Sequence, residues 1–236
     1  IDCAKVIAAG AKYDGDAWDL VTDPGKIADA LPIVSLISLL VGLILAFVGV
    51  IQLKMFGAEI YVSSLVAVSM TRIMGAIMTG IILAGRTGAS YAAVIGTMQV
   101  NEEIDALTTL GVAPSDYLIM PRVLALTAMT PLLVLYSDFM GIMGGFIVGV
   151  GILGLDPMEY YTFTQKGFNI NNLWVGMVHG AVYGMLIAIT GCYQGLSCGR
   201  NAEAVGKATT SAVVYSIVGI VLSTAVLTIL CNILNI

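Results

Sequence analysis

The chain has 236 residues, of which 58% are hydrophobic and only 11% are charged. Soluble domains carry about 25% charged residues, so this composition excludes an ordinary soluble domain and indicates an integral membrane protein. The net charge is −5, six Asp residues fall within the first 30 positions, and no basic cluster suggests nucleic acid. Cys3, Cys192, Cys198 and Cys231 show neither a CxxC pair nor metal-ligand spacing, so we expect no metal site.

Residues 1–30 come first and are too charged for a signal peptide. Trp18, Leu20 and Val21 lie among aspartates, which is typical of an interfacial helix or of a linker from an upstream domain. Because the chain starts without Met, we also expect trimming or a further N-terminal segment. The predicted organisation is therefore an interfacial segment or linker over 1–30 and one membrane domain over 31–236.

Five apolar stretches follow, each long enough for the roughly 20 helical residues that cross a bilayer. They cover residues 30–53, 60–85, 123–155, part of 167–199, and 208–236. None alternates with period 2 as a barrel strand would, so the predicted fold class is an all-α integral membrane protein with five transmembrane helices.

The basic residues between these stretches predict the orientation. A cytoplasmic N-terminus puts seven of them inside, against two, Lys54 and Lys166, outside. The seven inside are Lys5, Lys12, Lys26, Arg86, Arg122, Arg200 and Lys207. This bias predicts a periplasmic C-terminus and a cytoplasmic loop over residues 86–122.

Two tandem GxxxG runs lie in the third and fourth stretches, and such runs let helix backbones pack closely. They are Gly141, Gly145, Gly149 and Gly176, Gly180, Gly184. We expect helix packing, within the chain or in a dimer, and give a direct place in a substrate path less weight.

Three ionisable residues lie inside apolar stretches, where a charge is costly and needs a partner or a cavity. Arg72 either pairs with Asp138 or meets an anionic lipid headgroup in a cavity. For His179, beside Gly180, a packed neutral imidazole is favoured over a proton relay.

The loop over 86–122 is the longest polar interruption, and its residues 98–110 predict a short amphipathic helix. Its apolar stripe follows helical spacing and its acids lie largely off that stripe. The stripe is Val100, Ile104, Leu107 and Gly111, and the acids are Glu102, Glu103 and Asp105. Gly111 is placed to end the helix, and Pro114 prevents easy continuation. Such a helix either lies on the membrane surface or docks on a cytoplasmic motor subunit, with its acids pairing to basic groups there.

Enzymatic interpretations find little support. A phosphate loop at Gly206-Lys207 would need a Gly where Asn201 stands and Ser or Thr where Ala208 stands. Ser90 and His179 suggest a Ser/His pair, but no oxyanion motif accompanies them.

Several motifs together resemble the MlaE/YrbE-type permeases of lipid-transporting ABC systems, which include the chloroplast TGD1 proteins. The resemblance covers about residues 31–233. The matching residues are Gly57-Ala58-Glu59, Ala84-Gly85-Arg86-Thr87-Gly88, Gly96-Thr97-Met98, Glu102-Glu103-Ile104-Asp105-Ala106-Leu107, Gly111, Pro114, Pro121-Arg122, Gly191-Cys192-Tyr193-Gln194-Gly195 and Gly206-Lys207-Ala208-Thr209-Thr210.

The resemblance implies a non-catalytic, homodimeric permease in a bacterial inner membrane. Its implied partners are a cytoplasmic ABC ATPase that holds the ATP and Mg, an MCE-domain periplasmic protein and a small STAS-type subunit. The implied substrate is phospholipid or a related lipid, moved between the inner and outer membranes, with no cofactor in this chain and no nucleic acid.

The resemblance also implies site residues. It places ATPase coupling on Glu102, Glu103, Ile104, Asp105, Ala106 and Leu107. Arg72 corresponds to an Arg near the dimer cavity, and with Phe56 and Glu59 it forms our set of lipid-cavity candidates. The family often has Arg-Glu-x-Gly-Pro where this chain has Arg72-Ile73-Met74-Gly75-Ala76.

Other classes of function remain open. A stand-alone secondary transporter would have ionisable groups in its spans and broken helices at mid-membrane. A scaffold subunit that transports nothing is the other alternative. Co-purification with an ATPase and an MCE protein would separate these from the permease.

Overall fold

The computed structural model describes residues 24–111, 113–152 and 154–234, without the side chains of residues 24–30 and Asp116. Most of the predicted interfacial segment, including Trp18, therefore lies outside the described residues. Within them all regular structure is helical, and five helices are long and apolar enough to cross a membrane. The all-α prediction with five spans is thus confirmed, and the protein is a multi-pass membrane protein.

The helices, in chain order, are α1 Pro24–Lys54, α2 Tyr61–Ser69, α3 Gly75–Leu83, α4 Ala89–Val100, α5 Glu103–Thr109, α6 Met120–Gly151, α7 Pro157–Gly167, α8 Ile170–Leu196 and α9 Ala202–Ile233. Two π-helical turns, Met70–Met74 and Ala84–Gly88, join α2, α3 and α4 into one continuous span, Tyr61–Val100. A third π-helical turn, Ser115–Ile119, leads into α6.

The second span is much longer than the sequence predicts. Its helix passes through the expected boundary at residue 85 and ends at Val100, after 40 residues. At 1.5 Å per residue it is about 60 Å long, roughly twice the hydrocarbon thickness of a bilayer. Arg86 lies exposed on its π-helical turn, whereas Tyr91 and Ile95 are buried in the core. Because these apolar residues pack inside the protein, the polar loop starts at Asn101 and not at Arg86.

The spans form a bundle with α6 and α8 at its centre. Helix α6 packs mainly on α1 and α8, and α8 also packs on α4 and α9. The larger core cluster includes Tyr183 and Ile187 of α8 with Leu126 of α6, and a second cluster lies between α1 and α2. Helix α9 buries one narrow line of residues against the bundle, Ala208, Ala212, Ser216 and Ile220, and much of the rest of its surface is exposed or half-buried.

The glycine runs lie where neighbouring helices approach most closely. A Cβ at Gly176 would meet the backbone carbonyl of Thr71, and one at Gly184 would meet Thr130 of α6. On α6, Gly141 lies against the side chain of Met70 and Gly149 lies against the ring of Tyr160. These glycines therefore let the second span, α6, α7 and α8 come together within one chain.

Side-chain caps define the starts of the last three helices. Asp156 Oδ1 accepts a hydrogen bond of 3.2 Å from the Met158 N–H at the start of α7. Asn169 accepts from Asn171 N at the start of α8, and Asn201 accepts from Ala204 N at 2.7 Å at the start of α9. Helix α7 is anchored by Tyr160, and burial raises the pKa of this phenol to about 12, so it stays neutral.

Candidate functional site

The polar connection between the second and third spans is built around a reversed turn at Glu102. Helix α4 ends at Val100, and Glu102 has a φ of 59°, the only positive φ of a non-glycine residue in the described chain. Side chains rarely adopt this left-handed conformation. The helix expected over 98–110 is therefore two pieces: residues 98–100 complete α4, and α5 covers Glu103–Thr109. The predicted stop at Gly111 is confirmed, since its φ is 78° and its N–H donates to Thr108 O at 3.1 Å.

The apolar stripe of α5 faces the protein itself. Ile104 is only 6% exposed and belongs to the main core cluster, with Leu118 in the same cluster. Leu107 packs against that cluster as a half-buried residue. The stripe is therefore not an exposed docking surface. The outer surface of α5 consists instead of Ala106, Thr108, Thr109 and Leu110, together with Glu102 in the turn before it.

Two of the three acids bind an arginine from a distant part of the same chain. Arg200, in the connection between α8 and α9, donates from Nη2 to Asp105 Oδ2 at 2.6 Å. Its Nη1 lies 3.8 Å from Glu102 Oε1. The third acid, Glu103, accepts a hydrogen bond of 3.2 Å from Asn101 Nδ2. The acids are thus engaged within this chain.

The Arg200 contacts contribute little to stability because all three side chains are exposed. The exposed fractions are 57% for Arg200, 71% for Glu102 and 47% for Asp105. Exposed pairs of this kind contribute about 0.2–1 kcal/mol each. A non-glycine residue in the left-handed region costs on the order of 1–3 kcal/mol. The pairs therefore offset only part of the strain at Glu102.

The helix ends on either side of Arg200 contact α4. Gly195 of α8 lies against the Ile95 side chain of α4. A Cβ at Gly96 of α4 would lie 3.4 Å from the Val205 side chain of α9 and 3.6 Å from the Cys198 sulfur. The ends of α4, α8 and α9 thus meet close to α5. Sequence patterns could not have found the role of Arg200, because it lies 95 residues from Asp105 and its charge contributed only to the topology count.

Arg72 does not bind Asp138. It is half-buried on the Met70–Met74 turn, and its Nη1 donates to Asn172 Oδ1 of α8 at 3.1 Å. Both carboxylate oxygens of Asp138 are buried without a hydrogen-bond partner, and the carboxyl group packs on Gly75. The ion pair, one of the two alternatives for Arg72, is therefore wrong. The two side chains point to different neighbours around the start of α3.

The remaining lipid-cavity candidates lie away from Arg72. Phe56 is 82% exposed in the connection between α1 and α2, and Glu59 is half-buried there. Arg72 comes 11 residues after the first residue of α2, which is about 17 Å along a helix axis. Within the described chain these three residues do not form one site.

His179 is a packed histidine. It is 1% exposed, its Nδ1 lies 2.7 Å from the Val175 carbonyl oxygen, and its ring makes an edge-to-face contact with Tyr183. Arg122, which the sequence indicated only as an inside basic residue and as part of the Pro121-Arg122 motif, is a second buried group. Its guanidinium lies 5.6 Å from the centre of the Tyr91 ring, at the start of α6. A cation over an aromatic ring is stabilised where water is excluded.

These features define a class of protein. The described residues contain no group of three or more His, Cys, Asp or Glu side chains that could hold a metal ion. The fold is a multi-pass helical membrane bundle in which one short connecting helix, α5, is held to a second connection by charged groups.

The chain belongs to the Permease MlaE family, whose model matches residues 26–230. A probable ABC transporter permease protein of Rickettsia typhi is 40% identical over 199 residues, which are 84% of this chain and 77% of the relative. The chloroplastic protein trigalactosyldiacylglycerol 1 of Arabidopsis thaliana is 31% identical, over 84% of this chain and 57% of its own length. The intermembrane phospholipid transport system permease protein MlaE of Haemophilus influenzae is 29% identical, over 79% of this chain and 72% of its own.

Proposed function

We propose that this chain is the permease subunit of an ABC transporter that moves phospholipids or related lipids between the inner and outer membranes of a bacterium. A separate cytoplasmic ATPase, which binds ATP and Mg, drives it, and this chain carries no cofactor. Family membership and the names of its relatives support this proposal. The main structural support for this proposal is α5, because it is a short helix with an exposed outer surface at the end of a span about 60 Å long.

The proposed assembly is a homodimer in the inner membrane with a cytoplasmic N-terminus and a periplasmic C-terminus. Residues 31–236 form the permease domain, and residues 1–30 act as an interfacial segment or linker. The exposed surface of α9 leaves room for a second copy of the chain or for lipid. An MCE-domain protein at the periplasmic side and a small STAS-type subunit complete the assembly.

In this proposal the ATPase contacts the outer surface of α5. Ala106 and Leu110 are exposed there, whereas Ile104 and Leu107 attach α5 to the core of the permease. Because α5 is packed on the bundle, a push on its outer surface reaches the spans without first compressing a flexible loop. Of the proposed coupling residues Glu102 to Leu107, Ile104 and Leu107 thus face the core, and Ala106 faces outward.

Native purification with mass spectrometry of bound proteins and lipids is the first test. The expected result is a dimer of this chain with an ABC ATPase and with phospholipid. A lone chain that transports a solute against an ion gradient would overturn the proposal in favour of a secondary transporter. A complex that holds the partners but transfers no lipid would favour a scaffold subunit.

The contact through α5 has a sharper test in a matched pair of variants. Ala106→Arg places a large cation on the outer surface of α5, whereas Ala113→Arg places it on an exposed residue beyond the helix. We expect Ala106→Arg to weaken ATPase binding at least tenfold, and Ala113→Arg to leave it within about twofold, since a bulky charge in an interface core costs more than about 1.4 kcal/mol. Normal ATPase binding by both variants would place the contact elsewhere.

A further inference from the structure

Arg200 joins two connections of the bundle that are far apart in sequence. Its two terminal nitrogens approach two different acids, Asp105 at 2.6 Å and Glu102 at 3.8 Å. Glu102 precedes α5 and Asp105 lies in its first turn. One guanidinium therefore spans the start of α5, which is the point that sets the angle between α4 and α5.

The residues on either side of Arg200 are tied to the ends of α8 and α9. The preceding connection is fixed by the Cys198 N–H, which donates to Gly195 O at 3.3 Å, and by the packing of Cys198 beside Gly96. The following residue, Asn201, caps α9 through Ala204 N. A displacement of Arg200 would therefore displace the ends of both helices.

Helix α5 has covalent links to the second and third spans only. It follows α4 through Asn101 and Glu102, and the chain continues from it through the Ser115–Ile119 turn into α6. Its link to the fourth and fifth spans, α8 and α9, runs through side chains. Among the described charged groups, Arg200 is the one that makes this link.

We propose that Arg200 is a positioning residue that couples α5 to α8 and α9, so that movement of α5 is passed to the fourth and fifth spans as well as to the second and third. This inference rests on the proposed function, because an ATPase is the source of the movement. It assigns Glu102 and Asp105 to contacts within the permease and leaves the rest of the outer surface of α5, Ala106, Thr108, Thr109 and Leu110, for the ATPase.

Because the ion pairs of Arg200 are exposed, a positioning role for Arg200 can be distinguished by experiment from a role in folding. Exposed ion pairs add little to stability, so loss of Arg200 should leave folding and dimer formation unchanged. What it should change is the amount of lipid moved for each ATP hydrolysed.

The test uses the chain together with the ATPase that co-purifies with it, in vesicles of phosphatidylethanolamine and phosphatidylglycerol that carry a fluorescent phospholipid. Variants are Arg200→Ala, Arg200→Lys and the exchange Arg200→Asp with Asp105→Arg. Lys207→Ala is the matched control, because Lys207 is an exposed cation of the same region that pairs with Glu203 of its own helix. Complex affinity, ATP hydrolysis and lipid transfer are measured for each.

For Arg200→Ala we expect unchanged complex affinity and a fall of about fivefold or more in lipid moved per ATP, the range of a typical coupling between sites. Arg200→Lys should fall in between, the exchange should restore coupling, and Lys207→Ala should match the parent. Weakened ATPase binding by Arg200→Ala would overturn the proposal and make Arg200 part of the docking surface. Unchanged coupling in Arg200→Ala would also overturn it.

A second measurement separates this inference from the proposed function. Spin labels at Thr109→Cys on α5 and at the exposed Thr210→Cys on α9, in a chain freed of its other cysteines, report the distance between the two helices without any ATPase and leave the Lys207–Glu203 pair of the control intact. The expected result is a narrow distance distribution that broadens with Arg200→Ala and not with Lys207→Ala. Even if the chain works with no ATPase and moves no lipid, this distance distribution shows whether Arg200 positions α5. A distribution that Arg200→Ala leaves unchanged would overturn the positioning role.

Discussion

At the scale of single residues, the arginine in the first third of the second span contacts an amide of α8. Arg72 donates to Asn172 Oδ1 and remains half-buried. This contact orients the Arg72 guanidinium toward α8.

The lipid role proposed for Arg72 is tested by separating its charge from its hydrogen bond. Arg72→Gln removes the charge, and Asn172→Ala removes the amide but keeps the charge. We expect Arg72→Gln to lower phospholipid transfer about tenfold, because a hydrogen bond to a charged group contributes about 1.5–3 kcal/mol, and Asn172→Ala to lower it much less. Transfer between vesicles and lipid retained after purification are the measurements. Normal lipid retention and transfer in Arg72→Gln would contradict the role.

Asp138 raises a different question, because its carboxyl group is buried against Gly75 without a hydrogen-bond partner. An ionised group there is costly. We expect Asp138→Asn, which has nearly the same shape and no charge, to keep or raise the free energy of unfolding, by about 1 kcal/mol. Thermal unfolding in detergent, with the exposed Glu159→Gln as control, measures this. A large fall in melting temperature would show that the carboxylate has an essential partner.

At the scale of elements, the glycine runs have a packing role that depends on position. Gly176 faces a backbone carbonyl that cannot move aside, whereas no atom lies within 4 Å of a Cβ at Gly206 of α9. Both glycines lie inside helices, so the intrinsic effect of alanine is the same and favourable by about 0.5–1 kcal/mol.

This pair gives a matched prediction for stability. Gly176→Ala should destabilise the protein by about 1–3 kcal/mol because the added methyl group forces α8 away from Thr71. Gly206→Ala should be neutral or slightly stabilising. Thermal unfolding of the two variants side by side measures the difference. Equal melting temperatures would mean that α8 can move away from the second span without loss of stability.

At the scale of the whole molecule, α6 carries the chain from the α5 end of the bundle to the α7 end. Arg200 lies in the connection between α8 and α9 at the α5 end, and Arg86, Arg122 and Lys207 lie in helices toward the same end, whereas Lys54 and Lys166 lie toward the opposite end. This asymmetry supports a cytoplasmic α5 and a periplasmic α7.

Single cysteines test this orientation. Thr109→Cys on α5 and Met158→Cys on α7 are both at exposed positions. In spheroplasts treated with an impermeant maleimide, we expect Met158→Cys to be labelled at once and Thr109→Cys only after the membrane is opened. The chain without an added cysteine corrects for Cys198 and Cys231, which are half-buried. The reverse pattern would invert the topology.

The sequence by itself determined the number of spans, the helical class and the ending of α5 at Gly111. These follow from local rules, because a bilayer requires a certain apolar length and a left-handed position favours glycine. The family motifs, and with them the membership in the permease family, are also recognisable from the sequence alone. The length of the second span did not follow, because apolar residues after Arg86 pack in the protein core and continue its helix.

Only the tertiary structure decided which groups meet. The rotation of each helix about its axis determines whether Arg72 faces Asp138 or Asn172, and no local pattern specifies that rotation. The same holds for α5: its stripe is amphipathic in sequence, but packing turned that stripe toward the core and two of its acids toward Arg200, 95 residues beyond Asp105. Contacts between residues so far apart depend on how whole helices pack, and for that reason the role of Arg200 became visible only in the folded chain.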